Sequence, residues 1–337
     1  VHGKSLLTLN LGNVESIGEL CFYNNPDLDT ITFSPFLKYI RKECFRSCSK
    51  IKVVSLPDSV IILEDGAFRE CTVLQSFTSG NQIDTYPDYL FVNCYNTTSF
   101  TLRKLIKTIG KYCFYNNISL SSFPCVSAEE IKTGAFQGCQ SINNISLNYK
   151  LGYLADYLFR ECRILRYFTF AHPLGNSFNV YDKNDPDERG SYTSIGKYTF
   201  FSVALTRFTI SPFTKTIGDY AFANCSYIFY LNLYSTNLTT IGDYAFRNCS
   251  SITTINFPES LTTVGPNAFF GCQGITKLGM TFNQAVSFNL ISNDFLPTDI
   301  SYNGNNTYTG SHIQNSNRKI FDIIPKQYDA GPLGTQE

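Results

Sequence analysis

Apolar and polar residues follow one another along this chain in a pattern that repeats about every 23 residues. Each unit contains one phenylalanine at a fixed place, which we call the anchor of the unit. Nine and eleven residues after an anchor stand two apolar residues with one residue between them, as in Leu231 and Leu233. This spacing predicts a short strand, because successive strand side chains point to opposite faces. The anchors are Phe22, Phe45, Phe68, Phe91, Phe114, Phe136, Phe159, Phe200, Phe222, Phe246 and Phe269.

The spacing of the anchors predicts a repeat architecture. Successive anchors are 22 to 24 residues apart, except for the 41 residues between Phe159 and Phe200. A unit this short cannot bury its apolar face alone, whereas eleven stacked units can. The stretch from Gly242 to Cys249 has the pattern of a short helical turn that begins at a glycine. The predicted fold is therefore an α/β solenoid. It is curved and right-handed, with a parallel β-sheet on its concave face and short helices or 3₁₀ turns on the other.

The same pattern divides the chain. Residues 1–280 are predicted to form the solenoid, with an insertion of about 18 residues located within 171–194. After Met280 the pattern ends in a polar, Asn-rich stretch, and we expect 281–337 to form a C-terminal cap and polar tail, because terminal repeats need a polar outer face. Leu6, Leu9 and Leu11 occupy strand positions of a unit without its other half, so we expect the sequence to be a fragment of a longer chain.

The repeat resembles a known family. Its pattern, apolar-Gly-x-x-Ala-Phe-x-x-Cys-x-x-Leu-x-x-Ile-x-Leu-Pro, is followed over roughly residues 6–280 and most closely over 217–273. It is similar to the BspA-like (Treponema-type) leucine-rich repeat. This resemblance implies a surface or secreted protein of an anaerobic bacterium or a parasitic protist, with adhesion and binding of host proteins as typical roles.

Composition narrows the classes of partner. Hydrophobic residues make up 43% of the chain and charged residues 16%, with a formal net charge of zero. Binders of nucleic acid or of anionic membranes normally carry a basic excess or cluster, and we expect neither partner here. No run approaches the roughly 18 apolar residues that cross a bilayer, so no membrane insertion is predicted within this segment. The 29 phenylalanines and 22 tyrosines indicate an aromatic core.

Twelve cysteines raise the question of a disulfide framework. Eight of them recur three residues after an anchor, and Asn25 and Asn117 take that place in two other units. A disulfide does not tolerate such replacement, whereas a ladder of small buried side chains does. Zinc requires clustered thiolates, and only Cys44 and Cys48 have a suitable spacing. We therefore predict buried free thiols.

No constellation of catalytic residues is evident. The three histidines, His2, His172 and His312, are scattered, and none is paired in the sequence with a nucleophile. We predict neither an enzyme nor a cofactor. A weak calcium candidate lies in the insertion, where an EF-hand ligand position holds Pro186 and no glycine follows, so a solvated loop is the favoured interpretation. The candidate ligands are Asp182, Asn184, Asp187 and Glu188.

The exposed side of the predicted sheet is the best place for recognition, because solenoids bind partners on extended concave surfaces. Small polar residues form a neutral column there, and Thr and Ser are also simply good strand formers. Larger side chains appear near the middle of the chain, and Tyr and Arg are enriched in binding hot spots. The candidate ligand-binding residues are Tyr167, Thr169, Arg207, Thr209, Tyr230 and Asn232.

These observations predict a non-enzymatic binding or adhesion module at a cell surface or in secretion. Its partner would be a protein or glycan of a host or neighbouring cell, recognised through the concave sheet face. The alternative is an intracellular scaffold for protein–protein interaction, because free thiols are compatible with a reducing compartment.

Overall fold

Each unit of the chain forms two short strands and one series of turns. The computed structural model describes residues 6–171, 191–233, 236–280, 284 and 299–302, and twenty-two strands lie within these ranges. The first set follows the anchors or takes the equivalent place at the ends of the stack: β1 (Thr8–Asn10), β3 (Thr30–Thr32), β5 (Val53–Ser55), β7 (Ser76–Thr78), β9 (Ser99–Thr101), β12 (Asn144–Asn148), β13 (Tyr167–Ala171), β15 (Arg207–Thr209), β17 (Tyr230–Asn232), β19 (Thr254–Asn256), β21 (Lys277–Met280) and β22 (Asp299–Tyr302). The two-residue strands that precede the anchors are β2 (Ser16–Ile17), β4 (Tyr39–Ile40), β6 (Ile62–Leu63), β8 (Thr85–Tyr86), β10 (Thr108–Ile109), β11 (Glu130–Ile131), β14 (Ser194–Ile195), β16 (Thr216–Ile217), β18 (Thr240–Ile241) and β20 (Thr263–Val264).

Most strands of the same set pair in parallel between neighbouring units. In β5, β7 and β9, the residues Val53, Ser76 and Ser99 share one row of the sheet. The chain is thus a parallel β-solenoid of about eleven turns, as the repeat predicts. We call the outer surface of the first strand set the strand face. Its described strands form five hydrogen-bonded groups, which are β1–β3, β5–β7–β9, β12–β13, β15–β17 and β19–β21–β22. Between β9 and β12, Pro124 occupies a strand position and lacks an N–H to donate.

The segment around each anchor differs from the prediction. Short helices or 3₁₀ turns are expected there, but within the described ranges this surface, which we call the turn face, consists of separate turns. Two residues before and two residues after each anchor, the backbone φ is positive, between 50° and 76°. Tyr244, at 53°, and Asn248, at 60°, break the supposed helical turn in this way. A left-handed residue cannot continue a right-handed helix, so the prediction of helices is wrong here.

Hydrogen bonds of the turn face run from one unit to the next. The N–H of Phe45 donates to the carbonyl of Ala67 at 2.9 Å, and the N–H of Ser47 donates to Arg69 at 2.9 Å. Between these, the N–H of Arg46 donates within its own turn, to Glu43 at 3.2 Å. The turns therefore satisfy their backbone polar groups without a helix, by joining neighbouring units as a sheet does.

The anchors form one continuous stack through the core. Ten successive pairs of anchor rings lie nearly parallel, with centroids 5.2 to 6.2 Å apart. Phe159 and Phe200 belong to this series, at 5.7 Å, although 41 residues separate them. Leu154 also bridges Ile195 in parallel, which keeps the register of the units on the two sides of the insertion. Residues 172–190 of the insertion lie outside the described residues.

The cysteines three residues after the anchors form a buried ladder. Each thiol donates to the carbonyl of the preceding unit's anchor, as Cys139 does to Phe114 at 3.1 Å. The Nδ2 of Asn117 donates in the same way to Phe91, at 2.7 Å. All twelve cysteines are free, and Cys21 is the exposed one while the other eleven are buried. The carbonyl that each thiol satisfies explains why Cys and Asn, but not purely apolar residues, predominate at this position.

Reactivity toward Ellman's reagent tests the ladder. Burial raises the pKa of Cys48 to about 11, and the thiolate is the reactive form. We expect one thiol, Cys21, to react rapidly in the native protein at pH 8, and the other eleven only after unfolding in urea. The Cys21→Ser variant should lack the rapid phase. A second rapidly reacting thiol would contradict the buried ladder.

Substitution of Asn117 tests the role of the donor. Asn117→Val leaves the buried carbonyl of Phe91 without its partner, and we expect a loss of about 1 to 3 kcal/mol in the free energy of unfolding. Asn117→Cys keeps a donor and removes Oδ1, which is buried and has no partner among the described residues. It should be at least as stable as the parent protein in urea denaturation. Equal losses in both variants would exclude a role for the donor.

Candidate functional site

The predicted recognition residues lie on three strands of the strand face. Tyr167 and Thr169 belong to β13 and are paired in register with Asn144 and Ser146 of β12. The Tyr167 side chain is 64% exposed, among the most exposed aromatic side chains in the described part of the chain. It therefore projects from a regular sheet into solvent, where a partner can reach it.

The remaining candidates lie on the next two strands. Arg207 pairs in register with Tyr230, and Thr209 with Asn232. These strands, β15 and β17, continue the stack beyond β13, because the inward-facing rings of Phe168 and Phe208 lie 5.5 Å apart. The fold thus brings the backbone positions of all six candidates into one region, on both sides of the insertion.

The predicted calcium candidates and the histidines are not part of this region of the structure. The calcium candidates Asp182, Asn184, Asp187 and Glu188, as well as all three histidines, lie outside the described residues. Within the described ranges, no group of three His, Cys, Asp or Glu side chains is arranged to hold a metal ion.

The turn face carries a second aromatic surface, which the sequence analysis does not identify. In six units a tyrosine occupies the left-handed position two residues before the anchor, and we call this series the tyrosine row. Neighbouring rings of the row stack, for example Tyr198 on Tyr220 with centroids 4.7 Å apart and Tyr89 on Tyr112 at 5.8 Å. The members are Tyr89, Tyr112, Tyr157, Tyr198, Tyr220 and Tyr244.

Arginines one residue after some anchors cover these rings. The guanidinium carbon of Arg160 lies 5.7 Å from the ring centroid of Tyr157 and 5.4 Å from that of Tyr198. Arg247 lies 5.4 Å from the ring of Tyr244 in the same way. The faces of the rings attract the planar cations, and each arginine fills the space between the row and its own turn.

The row is interrupted at Gly134, and a groove of about 490 Å³ lies in this region. The glycine supplies no ring. One residue after the anchors of this region stand Val92, Tyr115 and Gln137 instead of arginine, and the ring of Tyr115 packs edge-on against Tyr112. We call this cavity the tyrosine groove. Its lining on the side of the row is Tyr89, Tyr112 and Tyr157, and on the other side Arg69, Val92, Tyr115, Gln137 and Arg160.

The charges of the groove are largely balanced. The Nε of Arg69 pairs with Glu70 at 3.1 Å, and the Nε of Arg160 pairs with Glu161 at 3.2 Å. Burial, together with the neighbouring tyrosine hydroxyls, raises the pKa of Tyr112. That phenol is therefore neutral at physiological pH and acts as a hydrogen-bonding group rather than as an anion.

The profile described as "BspA type Leucine rich repeat region" matches six copies, over residues 3–121, 107–181 and 188–294. The chain belongs to the BspA-type leucine-rich repeat family. The match covers most of the BspA-type chain and includes the units on either side of the insertion. No curated protein sequence matches closely enough to count as a relative.

Solved structures of similar fold come from bacteria. A leucine-rich repeat protein from Bacteroides ovatus aligns with a TM-score of 0.60 at 20% identity, over 88% of this chain and 84% of that one. A leucine rich cell surface protein from Faecalibacterium prausnitzii aligns at 0.42 and 18% identity, over 75% and 88%. The pneumococcal vaccine antigen PcpA aligns at 0.45 and 15%, over 81% and 71%. At 20% identity, the likeness to the Bacteroides ovatus protein supports the fold alone.

Among the described residues, none of the structure forms a helix with the length and apolar character needed to cross a bilayer.

Removal of Arg160 tests the packing of the turn face. Its guanidinium lies on three aromatic rings and pairs with Glu161. We expect Arg160→Ala to lower the free energy of unfolding by about 1 to 2 kcal/mol, measured by urea denaturation. The exposed Arg163, three residues later, provides the control, and Arg163→Ala should change stability by less than about 0.5 kcal/mol. Equal effects would show that ring stacking contributes nothing.

Proposed function

We propose that this BspA-type chain is a non-enzymatic binding module that recognises a protein through the strand face around β13, β15 and β17. The observation that carries the proposal is the 64% exposed Tyr167 on a regular strand. Arg207 and Tyr230 occupy paired positions on the two strands beyond it. Rigid aromatic and arginine side chains dominate the energy of protein interfaces, and small polar residues around them give complementarity.

The strands that carry the candidate residues are held rigidly, which favours binding without rearrangement. Each strand of this region is held by a neighbouring strand, by the anchor stack beneath it and by the inter-unit bonds of the turn face. The backbone that carries these side chains is therefore already ordered before a partner binds, which reduces the cost of association.

The proposed setting is a cell surface or secretion, with a protein of a host or neighbouring cell as the partner. Family membership supports this setting, and the solved neighbour described as a cell surface protein is consistent with it. An intracellular scaffold is the alternative, which the free thiols allow. A glycan on the same face is a further outcome of the experiment that follows.

Substitution of Tyr167 tests the proposal. Binding to a panel of purified extracellular matrix proteins, native and enzymatically deglycosylated, is measured by biolayer interferometry. We expect Tyr167→Ala and Tyr230→Ala each to weaken binding at least tenfold, which corresponds to about 1.4 kcal/mol. Binding should survive deglycosylation of the partner.

Tyr89→Ala is the matched control, because Tyr89 is an exposed tyrosine of the turn face. It should leave the affinity unchanged, and melting curves should show that the strand-face variants remain folded. If all three variants and the parent protein bind with equal affinity, the binding site is not on the strand face.

A further inference from the structure

Three neighbouring loops along one edge of the solenoid differ from the loops on both sides of them. In each unit this edge loop leads from the ladder position, three residues after the anchor, to the first strand set. The unit before the three carries Gln140 and Ser141 there, and the unit after them carries Ser250 and Ser251. We call the surface between these units the loop-edge patch, and its residues are Arg163, Ile164, Arg166, Ala204, Tyr227 and Phe229.

The middle loop of the patch is one residue shorter than the loops beside it. In the unit of β13, Arg163 and Ile164 separate the ladder position from the next buried residue. In the following unit Ala204 alone fills this interval, and in the unit after that Ser226 and Tyr227 fill it. A shorter loop with a small side chain lies lower than longer loops with large side chains. The patch therefore has a recess over Ala204, with a wall in each neighbouring unit.

The width of the recess suits an extended chain. Its walls lie two units apart, or about 10 Å between their backbones at the usual spacing of neighbouring strands. The three units stack without a gap, because the anchor rings of Phe159, Phe200 and Phe222 follow one another at 5.7 and 5.2 Å. The side chains of the walls occupy part of this interval. A helix of about 10 to 12 Å diameter is therefore too wide to enter, whereas a side chain of an extended segment fits.

The recess meets the strand face at a break in the sheet. β13 pairs with β12, and β15 pairs with β17, but no ladder joins β13 to β15 in the part of the chain that the structure describes. Tyr167 is the first residue of β13 and directly follows Arg166 of the patch. A partner that contacts Tyr167 on the strand face therefore lies next to the loop-edge patch.

The charge of the loop-edge patch is positive and not compensated. Arg163 and Arg166 are both exposed, and the side chain of neither forms an ion pair or a hydrogen bond with any described residue. The three loops, 162–167, 203–207 and 225–230, contain no aspartate or glutamate. In a chain whose formal net charge is zero, this local excess of cations favours a partner that carries carboxylates.

Apolar side chains form the rest of the exposed surface of the patch. Ile164 is 46% exposed, Tyr227 61% and Phe229 47%. A sulfated glycan would satisfy the two arginines but would leave these three side chains in water. A protein segment can cover both kinds of group, because aromatic and aliphatic residues stand beside charged residues in protein interfaces. The combination therefore favours an acidic protein segment over a sulfated glycan.

We propose that the loop-edge patch binds an extended, acidic protein segment in which aspartate or glutamate stands beside aromatic or aliphatic residues. The carboxylates of the segment pair with Arg163 and Arg166. One of its apolar side chains enters the recess over Ala204, between Ile164 and Tyr227. This proposal rests on the protein recognition by the strand face proposed above, and it specifies the chemistry of the partner at the edge of that face.

Selection from a random peptide library tests this chemistry on the full chain. A phage-displayed library of dodecapeptides is panned on the folded protein, and the enriched peptides are synthesised with a fluorescent label. We expect them to be acidic, to contain an aromatic or aliphatic residue, and to bind with a Kd below about 100 μM in fluorescence polarisation. Their affinity should fall as the salt concentration rises, because exposed charge pairs are screened.

Two variants locate the bound peptide. Arg163→Glu combined with Arg166→Glu should weaken binding at least tenfold by reversing the charge, and Ala204→Tyr should do the same by filling the recess. Lys52→Glu is the matched control, because Lys52 takes the place of Arg166 five units earlier, and it should leave the affinity unchanged. Melting curves show which variants are folded. If Ala204→Tyr fails to fold, the double variant at the exposed arginines decides the matter.

The proposal is overturned if panning enriches no peptide or only neutral or basic ones. It is also overturned if the double variant binds the peptides as well as the parent protein does, or if a heparin hexasaccharide binds more tightly than they do. Matrix-protein binding that is lost in Tyr167→Ala but kept in the double variant would refute the acidic segment and leave the strand-face function standing. Peptide binding that needs the two arginines, with matrix-protein binding unaffected by Tyr167→Ala, would support the patch and refute the strand-face function.

Discussion

The hydrogen bonds between successive turns are the constraint on which the rest of this structure depends. Alternate N–H groups around each anchor donate to the next unit, so equivalent residues must lie directly above one another. The anchors consequently stack face to face, the thiols meet the carbonyls of the preceding unit, and the tyrosines form a row. A left-handed backbone at two places in every turn makes this pattern of donors possible.

Much of this arrangement follows from the spacing of apolar residues. The anchor period predicts the number of units and the parallel strands, and the replacement of Cys by Asn117 correctly indicates a buried ladder. The helices are predicted wrongly, because a segment such as 242–249 has helical composition while its conformation is set by contacts between units. Tyrosine rarely adopts a positive φ on its own, and the contacts between stacked units hold Tyr244 in this conformation.

The candidate sites, like the fold, can be predicted from the sequence only in part. Tyr167 could be placed on the strand face from alternation alone, because each strand has only two sides. The tyrosine groove was missed, although tyrosine two residues before six anchors was visible in the sequence. Its lining comes from residues in five units, and the sequence of a single unit does not show that these residues meet.

The omission at Gly134 has a consequence for how such proteins diversify. Every unit makes the same contacts with its neighbours. A substitution at one position of a row therefore leaves the other rows of the stack in place. At Gly134, where a glycine replaces the row tyrosine, the ring of Tyr112 lies over the glycine, while the anchors and the thiol ladder keep their register. The surface of the stack can therefore change through single codon changes, and exchange of whole units between related genes can move a surface feature along the molecule.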